Sequence, residues 1–317
     1  MTIAQRPLGR SGMQTPPLML GGNVFGWTCD TANGFAVLDA FIAGGGRLID
    51  TADMYSNWIP GLSGGESENL IGAWQASRKC RDKVLIATKV GRDKAPFAGL
   101  SASAIMGAVE QSLRRLRTDW IDIYFAHLDD AAVPLEETLT AFDKLVRDGK
   151  VRALGASQYD VARLAEAESV SATHGLARYE VIQPRYNLMV RDAFEGPLQD
   201  YCLENNIGVV PFYGLASGFL SGKYRSTADL AGRARGDEVA KYLTDRGFGI
   251  LAALDEIAAQ TGYQHVQIAL AWLNAQPAIT APIASASTAA QMEELLAAMT
   301  ITLAPEHLAL LDQASRY

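Results

Sequence analysis

The chain has 317 residues, enough for one large barrel or two ordinary domains. Its net charge of −7 argues against a nucleic-acid partner, and its 49% apolar residues supply a large core. MTIAQRPLGR has no apolar signal-peptide core, and the longest apolar stretch, VVPFYGLASGFL, is too short and glycine-rich to span a membrane.

Taken in chain order, RPLGRSGMQTPPLML comes first and reads as a hairpin closing a barrel floor, with Ser-Gly between short extended pieces. Apolar, β-rich runs follow at 18–21 (LMLG), 47–50 (RLID), 84–89 (VLIATK), 121–126 (IDIYFA), 151–156 (VRALGA), 179–183 (YEVIQ), 207–212 (IGVVPF) and 279–283 (ITAPI). Helical patterns separate them. SASAIMGAVEQSLRRL opens with Ser101 or Ser103 as an N-cap. PLEETLTAFDKLVRDG has Pro134 near its first turn, Glu136 and Glu137 at the positive end and Gly149 as its stop. Strands alternating with helices imply parallel pairing through right-handed crossovers. Eight such units predict an α/β fold, a (β/α)8 TIM barrel occupying residues 1–317 as one domain, with long loops at its C-terminal face. A doubly wound sheet would carry GxGxxG after its first strand, and the chain has no such motif. The segment 214–247 is long and rich in Gly, Arg and Asp, which marks it as a functional loop. Cys29, Cys80 and Cys202 are far apart with no CxxC, which fits a reducing, cytoplasmic setting.

Chemistry in such a barrel sits at the C-terminal strand ends. Those ends carry Gly22-Asn23, Asp50, Lys89, His127, Ser157-Gln158, Gln183, Phe212-Tyr213 and Ser285. Each alone has an ordinary structural reading: the aspartate as a cap, the lysine as a snorkelling surface residue, the histidine as a core residue. Four ionisable groups at one end are harder to read that way. Buried charges need partners, and Asp50 with Lys89 is the obvious pair. No HExxH occurs and the four histidines are scattered, so no metal is expected.

At these motifs the chain resembles the aldo-keto reductases along almost its whole length. DTADMY matches Asp-Thr-Ala-x-x-Tyr, ATKVG the family's lysine strand and FAHLDD its histidine strand. LGASQY resembles Gly-x-Ser-Asn, QPRYN resembles Gln-x-x-Tyr-Asn, LASGFLSGKY the loop after strand seven and APIASASTAAQMEEL the adenosine end. The resemblance implies hydride transfer between a nicotinamide and a small-molecule carbonyl or alcohol, with Asp50, Tyr55, Lys89 and His127 as the catalytic set. Tyr55 would be the general acid. An ordinary phenol has a pKa of about 10; a lysine about 4 Å away, at an effective dielectric near 20, would favour the phenolate by up to roughly 4 kcal/mol, or about three pKa units. Asp50 would hold Lys89 charged and give part of that back, and His127 would orient the substrate oxygen.

The resemblance also assigns a cofactor site. Gly22 and Asn23 border it. Ser157 and Gln183 would hold the carboxamide, with Gln158 where asparagine is usual. Phe212 would stack on the nicotinamide, followed by Tyr213 where serine is common. Leu215, Ser217, Gly218 and Lys223 would cradle the pyrophosphate. Ser285, Ser287 and Gln291 face the adenosine end, where relatives that bind the 2′-phosphate have arginine in place of Ser287 and asparagine in place of Leu295. NADP(H) is the family default, and the uncharged Ser287 makes NAD(H) nearly as suitable. Trp27, Met54, Trp58 and the segment around Pro96-Phe97 are expected at the mouth, a setting for sugars, aryl aldehydes or polycyclic ketones. Two rival readings stand beside this one: a nicotinamide-binding sensor barrel like the potassium-channel reductase-like subunits, and a lyase using Lys89 as a Schiff-base nucleophile.

Overall fold

In the computed structural model, residues 3–92 and 96–317 are described. The hairpin expected first in the chain forms from β1 (Arg6–Pro7) and β2 (Gln14–Thr15), paired antiparallel. Gly9 turns there with φ +60°, and a Cβ on it would collide with the Glu180 carbonyl, so the turn can approach the barrel only with glycine. Leu8 is thereby fully buried with Met19, Leu48, Leu85 and Val181 at the barrel floor.

Eight parallel strands follow: β3 (Met19–Gly21), β4 (Leu48–Asp50), β5 (Leu85–Val90), β6 (Ile121–Ala126), β7 (Val151–Ser157), β8 (Tyr179–Gln183), β9 (Gly208–Val209) and β10 (Ile283–Ala284). They pair in the order β10, then β3 through β9. The Thr280 and Ile283 N–H groups donate to the Val209 and Pro211 carbonyls at 2.8 and 2.9 Å, bringing the last strand against β9. The result is the expected (β/α)8 barrel. The runs predicted at 207–212 and 279–283 make shorter ladders than the sequence suggests. Pro211 and Pro282 have no N–H to donate. Isolated bridges, Arg185 to Phe212 and Val209 to Ile279, carry on beyond those ladders.

Every residue of β5 and β6 is buried, because both faces are covered. Leu85, Ala87, Ile123 and Phe125 fill the barrel interior, while Ile86 and Tyr124 meet the helical layer. Gly155 leaves room for the Phe125 ring, which a Cβ would strike. The outer layer comprises α1 (Thr31–Ala43), α2 (Glu66–Arg78), α3 (Ala102–Leu116), α4 (Leu135–Arg147), α5 (Val161–His174), α6 (Pro197–Glu204), α7 (Gly236–Ala240), α8 (Asp245–Thr261), α9 (His265–Ala275), α10 (Ala289–Ala297) and α11 (Pro305–Ala314). Ser101, rather than Ser103, caps α3 by accepting from the Ala104 N–H at 3.3 Å. Pro134 immediately precedes α4, with Glu136 and Glu137 in its first turn. The segment 214–247 has structure of its own, including two 3-10 turns and α7.

Candidate active site

Asp50 ends β4, Lys89 lies near the end of β5 and His127 follows β6. The His127 N–H donates to the Val90 carbonyl at 2.8 Å, so the strand pairing sets their separation. Tyr55 comes from the turns after β4, which return its ring over the strand end. The Lys89 ammonium, fully buried, lies 2.7 and 2.8 Å from the two Asp50 carboxylate oxygens. It also donates to the Thr51 carbonyl at 2.8 Å and to the Tyr55 hydroxyl at 2.7 Å. Tyr55 donates its own proton to Asp50 Oδ2 at 2.9 Å, and Gln183 Nε2 donates to Asp50 Oδ1 at 2.9 Å. The Tyr55 and His127 rings are 6.1 Å apart, edge to face. All four expected residues are therefore brought together.

Their electrostatics differ from the expectation. Burial first, then the charge and hydrogen bond of Asp50, push the Tyr55 phenol well above its ordinary range. The expected lowering by Lys89 fails because the lysine's charge is already met by Asp50, to which Tyr55 also donates. Burial likewise lowers Lys89 despite the opposing pull of Asp50, against the expectation that the pair would hold it up. Burial, then Lys89 and Arg92, hold His127 well below its usual value, so its imidazole is neutral near pH 7. His127 Nδ1 is buried with no partner among the described residues.

These groups face a cavity of about 890 Å³ at the C-terminal end of the barrel. Trp27, Met54 and Trp58 line it, with the two tryptophan rings edge to face at 5.7 Å. Asn23, Ser157, Gln158, Gln183, Phe212, Leu215, Ser217, Gly218, Lys223, Ser285, Ser287 and Gln291 line it too. Gly22 does not: its N–H donates to the Asp50 carbonyl at 2.7 Å, and Gly21 takes its place in the wall. Phe97 does not border the cavity either, nor does Pro96; the Phe97 ring lies where a Cβ on Gly107 of α3 would fall. Ser157 spends its hydroxyl proton on the Gln183 carbonyl at 3.1 Å. Leu295 is buried in the helical layer, away from the cavity. At the end expected to meet adenosine, Ser285 donates to Asn23 Oδ1 at 2.8 Å, and Gln291 Oε1 accepts from the Ser287 N–H at 2.9 Å, so no charge is supplied by these residues.

Several lining residues escaped the sequence reading. Arg185 sits inside the QPRYN motif, and Arg233, Arg235 and Glu238 lie in the long loop, whose arginine-rich GRARGDE was the available signal. Burial and the neighbouring Arg233 and Arg235 lower the Lys223 ammonium. Arg235 Nη2 and Arg185 Nε are buried with no partner among the described residues. Tyr213, Ala216 and Ser217 hold left-handed backbone conformations in the same loop, each costing about 1–3 kcal/mol and so maintained by their surroundings. Three cations, orphaned N–H donors and the open Gly218 suit a diphosphate, and the residues present fit a dinucleotide. Among the described residues no cluster of His, Cys, Asp and Glu could hold a metal ion, and no helix is long and apolar enough to cross a membrane.

Residues 17–316 match the model of the Aldo/keto reductase family. The chain is 32% identical to the uncharacterized oxidoreductase YrpG of Bacillus subtilis, over 96% of this chain and 94% of that protein. It is 32% identical to the aldo-keto reductase dtxS3 of Metarhizium robertsii, covering 92% and 85% of the two chains. Norsolorinic acid reductase of Aspergillus flavus is 28% identical over 97% and 79%.

Proposed function

The chain belongs to the aldo/keto reductase family, and from that premise we propose that Tyr55 is the general acid of its carbonyl reduction. The protein is an oxidoreductase that transfers hydride between a nicotinamide cofactor and a small carbonyl or alcohol substrate. The observation that carries the assignment is the Tyr55 hydroxyl, within 2.7 Å of Lys89 and 2.9 Å of Asp50 at the cavity wall.

A bound reduced nicotinamide supplies the hydride. The substrate oxygen then needs a proton, which the Tyr55 hydroxyl delivers after rotating away from Asp50. Lys89 already donates to that phenol oxygen and stabilises the phenolate as the proton leaves. Asp50 holds Lys89 in place, and neutral His127 donates a hydrogen bond that orients the substrate oxygen. Lys223, Arg233 and Arg235 would hold the pyrophosphate, Phe212 would offer its ring to the nicotinamide, and Ser157 and Gln183 would meet its carboxamide. NADP(H) remains first choice, with NAD(H) close behind, because Ser287 and Gln291 offer the 2′ position hydrogen bonds without charge.

The Schiff-base reading loses support because Lys89 is fully buried and committed to Asp50, Thr51 and Tyr55. The sensor reading is disfavoured by the oxidoreductase relatives. Steady-state oxidation of NADPH and NADH against an aldehyde and ketone panel tests the proposal; cofactor binding without turnover of any carbonyl would refute it.

A further inference from the structure

Arg92 stands three residues beyond Lys89. Gly91, at φ +108°, turns the chain as it leaves β5 beside His127, and a Cβ there would sit 2.6 Å from the Leu100 side chain. Arg92 thereby lines the same cavity as Tyr55, His127, Met54 and Trp58. Its positive charge acts on both the Tyr55 phenol and the His127 imidazole, favouring their less protonated forms. Among the described residues it has neither ion-pair nor hydrogen-bond partner. Four described acids of the strand-end loops and the cavity wall have other partners. Asp129 pairs with Arg163 at 2.9 Å, and Asp130 accepts from the Leu100 and Ala132 N–H groups at 2.9 and 3.1 Å. Asp50 holds Lys89, and Glu238 accepts from Ser217 at 2.8 Å.

The cavity cations thus fall into two groups, with Arg185 on the side of Arg235, since both act on Tyr213. Arg233 and Arg235 act on Lys223, beside Ser217 and Gly218, where the cofactor's diphosphate fits. Arg92 is at the other end, with the groups that handle the carbonyl. We propose that Arg92 selects carbonyl substrates that carry a carboxylate, an inference that rests on the Tyr55 reading of the site. A single guanidinium matches a monoanion and binds its two oxygens as a fork. Trp58 and Met54 line the same cavity and offer apolar surface to the body of such a substrate. An arginine exposed to solvent discriminates modestly, and salt weakens it.

The experiment compares para-carboxybenzaldehyde with its methyl ester, reading the ratio of kcat/KM for acid over ester with saturating cofactor. Wild type should prefer the acid by about tenfold, and raised salt should shrink that preference. Arg92→Gln should bring the ratio within about twofold of unity through the acid's KM, Arg92→Glu should invert it, and Arg92→Lys should retain most of it. A wild-type ratio at or below one, or an unchanged ratio in Arg92→Gln, overturns the proposal. Should the variants fail to fold, the wild-type salt titration decides: an acid preference indifferent to salt also overturns it. Equal turnover of both aldehydes removes Arg92's role alone, whereas turnover of neither removes the reading of Tyr55 on which it rests.

Discussion

Two buried aspartates, at opposite ends of the barrel, carry their charges to different ends. Asp122, near the start of β6, accepts from Arg81 at 2.7 Å, the Ile86 N–H at 2.9 Å, Arg152 at 2.9 Å and the Trp120 indole at 3.3 Å. The Arg81 and Arg152 guanidiniums also lie over the Trp120 ring, at 4.3 and 5.2 Å from its centre. Both carboxylate oxygens are met, and Asp122 does not line the cavity that Tyr55 faces. Asp50, at the end of β4, is equally well met, but one of its donors is the Tyr55 hydroxyl, which faces the cavity. The same chemistry gives cohesion where every proton is committed, and reactivity where one can turn toward a substrate. The barrel supplies that difference: loops cover only the C-terminal strand ends with a hollow.

Substitution at each aspartate network should separate the two roles. Asp122→Ala leaves Arg81 half-stripped of solvent without its carboxylate. It should cost about 3–5 kcal/mol of stability by urea unfolding, while folded enzyme keeps turnover within a few-fold. Lost turnover at unchanged stability would contradict the division. Tyr55→Phe should do the reverse, lowering carbonyl reduction at least about a hundredfold with nicotinamide binding within a few-fold. Near wild-type turnover in the purified variant would remove the general-acid assignment.

Ser287→Arg sharpens the comparison at a third place, the uncharged adenosine end. Charge-assisted bonds are worth about 1.5–3 kcal/mol, so NADPH should bind roughly ten- to a hundredfold tighter by fluorescence titration, with NADH little changed. An equal gain for NADH would show that Ser287 does not face the 2′ position.

The smallest effect is expected from pH. His127 is depressed from 6.5 chiefly by burial, and Tyr55 is raised from 10.0 chiefly by burial. Folded His127 therefore takes its proton only well below 6.5, and Tyr55 keeps its proton beyond 10. Between about pH 6 and 9 reduction at saturating substrate should vary less than about twofold. The sign for stability follows: the unfolded chain binds a proton at His127 first, so stability is full above about 6.5 and falls as pH drops below it. A kcat inflection near 6.5 that disappears in His127→Asn would show a titrating imidazole instead.

The sequence made the alternation of strands and helices readable because buried parallel strands are apolar without interruption and their helices carry caps, as at Ser101. It misplaced the extent of the last two strands, since Pro211 and Pro282 sit inside otherwise regular runs. The convergence of Asp50, Lys89 and His127 was legible because each stands at a strand end, which has a known position in a barrel, whereas Tyr55 was found only through the resemblance of DTADMY to the family motif. Gly22 and Phe97 were misplaced because a shift of one residue, or a ring folding back onto Gly107, leaves no trace in local pattern. Arg185 went unread inside QPRYN, and Arg233 and Arg235 were visible only as a charged composition. Their convergence depends on how a long loop packs, through the left-handed backbone at Tyr213, Ala216 and Ser217.

The chain order by itself determined the barrel and the identity of its polar strand ends, because hydrophobic period and chain connectivity are local properties. Tertiary structure alone decided how those groups titrate. Desolvation depends on everything packed around a side chain, and it raised Tyr55 and lowered Lys89 where pairwise charge reasoning predicted the opposite. It also decided that Arg92 would meet the cavity without a partner among the described residues, where Asp129 and Asp130 turn toward other donors.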